Sequence, residues 1–129
     1  PYTSKLINDG VLSQMDMGTL LDYCAIQLNG EKAGGKEAVI NINFTDTKEK
    51  VMLMLKNGVL NHRLGSQDKK ADLTMEIAKM DFVKLFFGRT DLQTLRKTNK
   101  VKTTGDTKAI DMIRSAYEPA DPNFKIVLP

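Results

Sequence analysis

A chain of 129 residues with 41% hydrophobic and 27% charged side chains and no Trp has the size and composition of one globular domain, and is too apolar for intrinsic disorder. The single cysteine, Cys24, excludes an internal disulfide and a cysteine-based zinc site, and no apolar run is long enough for a membrane span. The formal charge of +3 lies in the second half and is densest over 96–102, "RKTNKVK", which holds no anion and no aromatic, so nucleic acid is not an expected partner.

Residues 1–15 show no clear period and read as a linker or docking tail; residues 16–129 read as the domain. The first residue is Pro1 rather than Met, so the expectation is a processed product or a piece of something longer. Asp16 is placed to cap a helix over 17–28, whose apolar side carries Leu20, Leu21, Cys24, Ile26 and Leu28. Asn29–Gly30 is expected to stop it, and "KAGGK" to be a loop.

Strict alternation in "AVININF" predicts a strand over 38–44 with Asn41 and Asn43 on a wet face. "KVMLMLKNGVLNHR" predicts a hairpin turning at Asn57–Gly58, because a type I′ turn needs positive φ at both central residues. Val51, Leu53 and Leu55 on one face and Met52 and Met54 on the other predict a central strand buried on both sides. "ADLTMEI" alternates again.

The next helix, over 78–87, is ended by Gly88. On a helical wheel Met80, Phe87, Val83, Phe86, Phe82 and Leu85 fill an arc of about 220°, against the little over 100° that covers a core. Only Asp81 and Lys84 occupy the gap. Thr90 is the expected cap of a helix over 91–97. "KVKTT", a turn at Gly105–Asp106 and an amphipathic helix with Ile110, Ile113 and Tyr117 follow, stopped by Pro119 and Pro122. The apolar tail Phe124, Ile126, Val127 and Leu128 is expected to dock. Strands first and helices after predict an α+β fold: a five-stranded, mainly antiparallel sheet with helices packed on one face.

No catalytic constellation is expected. His62 is the only histidine, and a catalytic base needs a partner. No serine sits in a G-x-S-x-G elbow, and "GEKAGGK" has Glu37 where a phosphate loop needs Ser or Thr. Asp72 and Glu76 read as a polar strand face rather than a poised dyad. A chain without such chemistry is expected to bind. Part of the wide arc is then expected to line an apolar pocket, with Leu21, Phe82, Leu85, Phe86 and Ile113 as candidates. The alternative is an interaction or dimerisation module with no ligand of its own.

The run 20–63 resembles the pattern L-x-D-Y-x-A-x-x-L-[ND]-G-x-K-A-x-G-K, followed by [IV]-N-[IW]-x-F-T-D-T and L-x-N-G-x-L. Residues 71–113 and the ending "DPNFKIVLP" continue the likeness. Together these resemble the sterol carrier protein type-2-like domain at the C-terminus of alkyl sulfatases, with "LNGEKAGGK" and "NFTDT" pointing to the sulfatase branch. The resemblance implies a non-catalytic lipid-binding domain that brings the tail of a long-chain alkyl sulfate to the enzyme. It also implies upstream partners in the parent: a metallo-β-lactamase-type zinc domain, whose zinc histidines are absent here, and a helical dimerisation domain. No cofactor is expected in this chain. The cationic run 96–102 is expected to favour an anionic head group. The expected setting is a soluble bacterial protein, cytoplasmic or periplasmic.

Overall fold

Strand β1 (Ala38–Phe44) is the middle of the molecule. It pairs antiparallel with β2 (Lys50–Lys56), which turns at Asn57–Gly58 into β3 (Val59–Leu64). On its other side β1 pairs in parallel with β4 (Leu73–Ile77), and β4 pairs antiparallel with β5 (Val101–Gly105). The order is β3-β2-β1-β4-β5, a mainly antiparallel sheet with one parallel pair. The computed structural model describes residues 14–116; the expected tail 1–15 except its last two residues, Tyr117, the prolines and the apolar ending 124–128 lie outside the described residues.

Among the described residues five helices accompany the sheet: α1 (Met17–Ile26), α2 (Gly30–Ala33), α3 (Lys79–Phe86), α4 (Leu92–Lys97) and α5 (Lys108–Ser115). The pairing register puts Ile40, Ile42, Phe44, Val51, Leu53, Leu55, Leu73, Met75 and Ile77 on one face, and all are buried. Helices pack there: Phe82 of α3 meets Phe44, and Asp22 of α1 faces His62 of β3.

The central strand is β1 rather than β2. In β2 only Val51, Leu53 and Leu55 are buried, while Met52 and Met54 are half-buried. The expected wet face of β1 is covered instead. To pass from β3 to β4 the chain must cross over β2 and β1, and it does so along 65–72. The two asparagines hold this strap. Asn41 Nδ2 donates to the Asp68 carbonyl (2.7 Å) and the Asp68 N–H donates back to Asn41 Oδ1 (3.0 Å). Gln67 donates to Asn43 Oδ1 at 3.0 Å. Asn41 is therefore only 6% exposed, with both amide ends satisfied. Asp72 closes the crossing by accepting the Val39 N–H (2.8 Å), which makes it structural. A Cβ on Gly105 would sit 2.5 Å from the Asp72 carbonyl, so only glycine fits there.

Two helix boundaries differ from expectation. Helix α1 ends at Ile26, because Asn29 caps the next turn by accepting the Glu31 and Lys32 N–H groups (3.0 and 3.2 Å). The segment before the glycine loop is thus a one-turn helix, α2. Helix α4 is capped by Asp91, which accepts the Thr94 N–H at 2.7 Å; a carboxylate outranks the Thr90 hydroxyl as a cap.

Asp16 and Asp91 are both exposed N-caps, and the N–H bonds they accept from Thr19 and Thr94 hold their carboxyls below the ordinary value of 3.8. A depressed native pKa means that the cap contribution is complete above the unfolded value and is lost as pH falls through the native one. Urea midpoints measured from about pH 5 to about pH 2 are expected to fall less steeply for the D16N/D91N double variant than for the native chain, because its neutral caps do not titrate. Equal slopes would show that the caps do not contribute to acid stability.

Candidate functional site

Helix α3 carries the wide apolar arc, and its N-terminus has an unusual support. Ala78 at the cap position has no side-chain oxygen. The acceptor comes from the β1–β2 turn: Asp46 Oδ1 takes the Lys79 N–H at 3.0 Å while also holding its own turn through the Thr47 N–H (3.0 Å). Lys79 is 7% exposed, and its Nζ donates to the Met15 carbonyl just before α1. The start of α3 is thereby tied to the sheet turn and to the entry of α1. Its end is the expected glycine stop, with Gly88 at φ 74° and the Arg89 N–H bonded to the Lys84 carbonyl (2.8 Å).

Between these two fixed ends the arc is covered. Phe82, Val83, Leu85 and Phe86 are at most 2% exposed and Phe87 is 8% exposed. The rings form a file. Phe44 of β1 meets Phe82 edge-on at 5.5 Å and 90°. Phe82 meets Phe86 at 5.1 Å, Phe86 meets Phe87 at 6.2 Å, and Phe87 meets Tyr23 of α1 at 6.4 Å. Tilted and edge-on contacts in this range are the favourable aromatic geometries.

All five sequence candidates converge on this interior. Phe82, Leu85 and Phe86 come from α3, Leu21 from α1 and Ile113 from α5, each at most 1% exposed and part of one apolar cluster. Sequence reasoning missed Phe44, Tyr23 and Asp46. Phe44 carried a signal as the last inward residue of the β1 alternation. Asp46 carried one too, since a helix starting at Ala78 needs an acceptor from elsewhere.

Among the described residues, His62 packs against α1 and Cys24 lies within it. His62 Nδ1 lies 3.7 Å from Asp22 Oδ1, linking β3 to α1. Cys24 is buried, and desolvation pushes its thiol up to about 12, which keeps it unreactive. Burial also raises the Tyr23 hydroxyl. Among the described residues no group of three or more His, Cys, Asp or Glu could hold a metal ion. In the cationic run, Arg96 donates to Thr103 Oγ1 at 2.6 Å. Three surface clefts of about 360, 400 and 460 Å³ lie along the sheet ends, among residues such as Lys50, Glu76, Lys102 and Asp72. No helix of the described residues is long and apolar enough to cross a membrane.

Residues 5–129 match the family described as alkyl sulfatase C-terminal. The chain is 32% identical over 127 residues to the linear primary-alkylsulfatase of Pseudomonas sp., which covers 98% of this chain and 19% of that protein. It superposes at a TM-score of 0.77 and 32% identity on the stereoselective inverting sec-alkylsulfatase Pisa1 of Pseudomonas sp., over 88% of this chain and 18% of that one. The chain thus spans under a fifth of the length of the alkylsulfatases it matches. The apo form of sterol carrier protein 2 from Yarrowia lipolytica shares the fold, at a TM-score of 0.53 and 18% identity over 88% of this chain and 98% of that one.

Asp46→Ala is expected to cost about 1 kcal/mol through the lost remote cap. Phe82→Ala is expected to cost about 3–5 kcal/mol through the cavity left in the ring file. Urea unfolding measures both, and a silent Asp46→Ala would show that α3 is held by packing alone.

Proposed function

The chain belongs to the alkyl sulfatase C-terminal family, and on that premise we propose that it is a non-catalytic domain that takes up the hydrocarbon tail of long-chain alkyl sulfates. The observation that carries this function is the convergence of Leu21, Phe82, Leu85, Phe86 and Ile113, from three helices, on one apolar interior against the sheet. These side chains are buried, so the proposed slot is closed. A tail enters by parting the helices from the sheet and replacing ring–ring contacts with ring–methylene contacts. Met75, fully buried on β4, and the half-buried Met80 and Met112 can repack around it, since thioether side chains adapt to varied shapes.

Magnitudes support capture and release rather than storage. A tail of about twelve carbons gains about 10 kcal/mol gross, at roughly 0.8 kcal/mol per methylene. Association costs an estimated 4–15 kcal/mol, and opening a packed interior costs more. Even at the low end of that cost the net is at most about 6 kcal/mol, weak binding that suits handing substrate to a catalytic domain. In this proposal the zinc chemistry and dimerisation belong to other parts of the parent chain.

Titration with dodecyl sulfate below its micelle concentration, against a solvent-sensitive dye, is expected to give saturable displacement with a dissociation constant in the micromolar range or weaker. A rise in melting temperature should accompany it. Absence of saturable displacement, with sedimentation showing a tight dimer, would overturn the proposal in favour of an interaction module.

A further inference from the structure

Among the described residues, one buried side-chain donor, on Arg114, has no hydrogen-bond acceptor. Arg114 follows Ile113 on α5 and lies across the C-terminal end of α3. Its Nε is buried and has no hydrogen-bond acceptor. Its Nη2 reaches only the Thr90 carbonyl, at a long 3.5 Å. The nearby Asp91 carboxylate feels the Arg114 charge, but it accepts the Thr94 N–H as the cap of α4, and no acidic residue among those described forms an ion pair with Arg114. A guanidinium with one enclosed, unbonded N–H is costly and marks a missing acceptor. The neighbouring Gly88 is exposed, and a Cβ there would meet nothing nearer than Arg114 Nη2 at 4.0 Å.

Resting on the tail-binding function proposed above, we infer that Arg114 receives the head group of the guest, an oxyanion of the sulfate monoester class, while the tail lies beside Ile113 and Phe86. The guanidinium fork matches two oxygens of such an anion, and a charge-assisted pair would satisfy Nε. Arg114 and Ile113 are adjacent on one helix, so the head stays at the rim while the tail reaches the interior. The orphan N–H then selects anionic over neutral amphiphiles.

Binding of dodecyl sulfate and of the uncharged dodecyl maltoside is compared in the native chain, R114K and R114M, and the Arg114 Nε–H resonance is followed during titration with dodecyl sulfate and with inorganic sulfate. R114M is expected to bind dodecyl sulfate roughly tenfold more weakly and dodecyl maltoside unchanged. The native Nε–H signal is expected to shift with dodecyl sulfate, and R114K to lose the signal and part of the selectivity. Equal losses for both amphiphiles, or a Nε–H signal that ignores sulfate and dodecyl sulfate alike, overturn the head-group role and leave tail binding standing. A Nε–H shift with inorganic sulfate but no binding of either amphiphile keeps the anion site and overturns the tail. If R114M does not fold, the native resonance and R114K decide.

Discussion

The file of aromatic rings running from Phe44 on the central strand through Phe82, Phe86 and Phe87 to Tyr23 on α1 is the contact on which this molecule depends. It joins the sheet to α1 through α3, an eight-residue helix that is too short to be stable alone. Most of the surrounding detail keeps that helix in place. Asp46 supplies the acceptor that Ala78 cannot, Lys79 reaches back to the entry of α1, and Gly88 turns the chain away before the ring sequence can extend. A helix that is apolar on most sides must be covered on most sides. Here Phe44 of β1 and Tyr23 of α1 supply part of that cover.

The opposite face of the sheet obeys a different constraint. A chain that finishes a meander at one edge and must insert its next strand beside β1 has to cross two strands. The crossing peptide brings polar backbone groups over a face where they need partners. Asn41 and Asn43 meet that need from the strand below, and Asp72 meets it at the far end. The sheet therefore has one face devoted to an apolar interior and one face partly roofed by its own connection.

This division bears on function. Among the described residues, His62 lies beside Asp22, Asp72 accepts from the β1 backbone and Cys24 is sealed in α1. What the frame encloses is apolar, and among the described residues Arg114 has a buried Nε without a hydrogen-bond acceptor.

Several features were legible in the residues alone. The hairpin at Asn57–Gly58 follows from the local need for positive φ, and both residues adopt it. The Gly88 stop and the Asp16 cap are likewise local chemistry. Tertiary structure alone decided the rest. That β1 rather than β2 is central depends on which strand β4 chooses, a pairing between residues more than thirty positions apart that no short-range period encodes. That Asn41 is buried, and that Asp46 caps a helix distant in sequence, depend on chain crossings which bring polar groups together only after the sheet has formed. Periodicity records which face of an element is apolar. What that face meets is set by long-range contacts, whose free energy is realised only in the assembled fold.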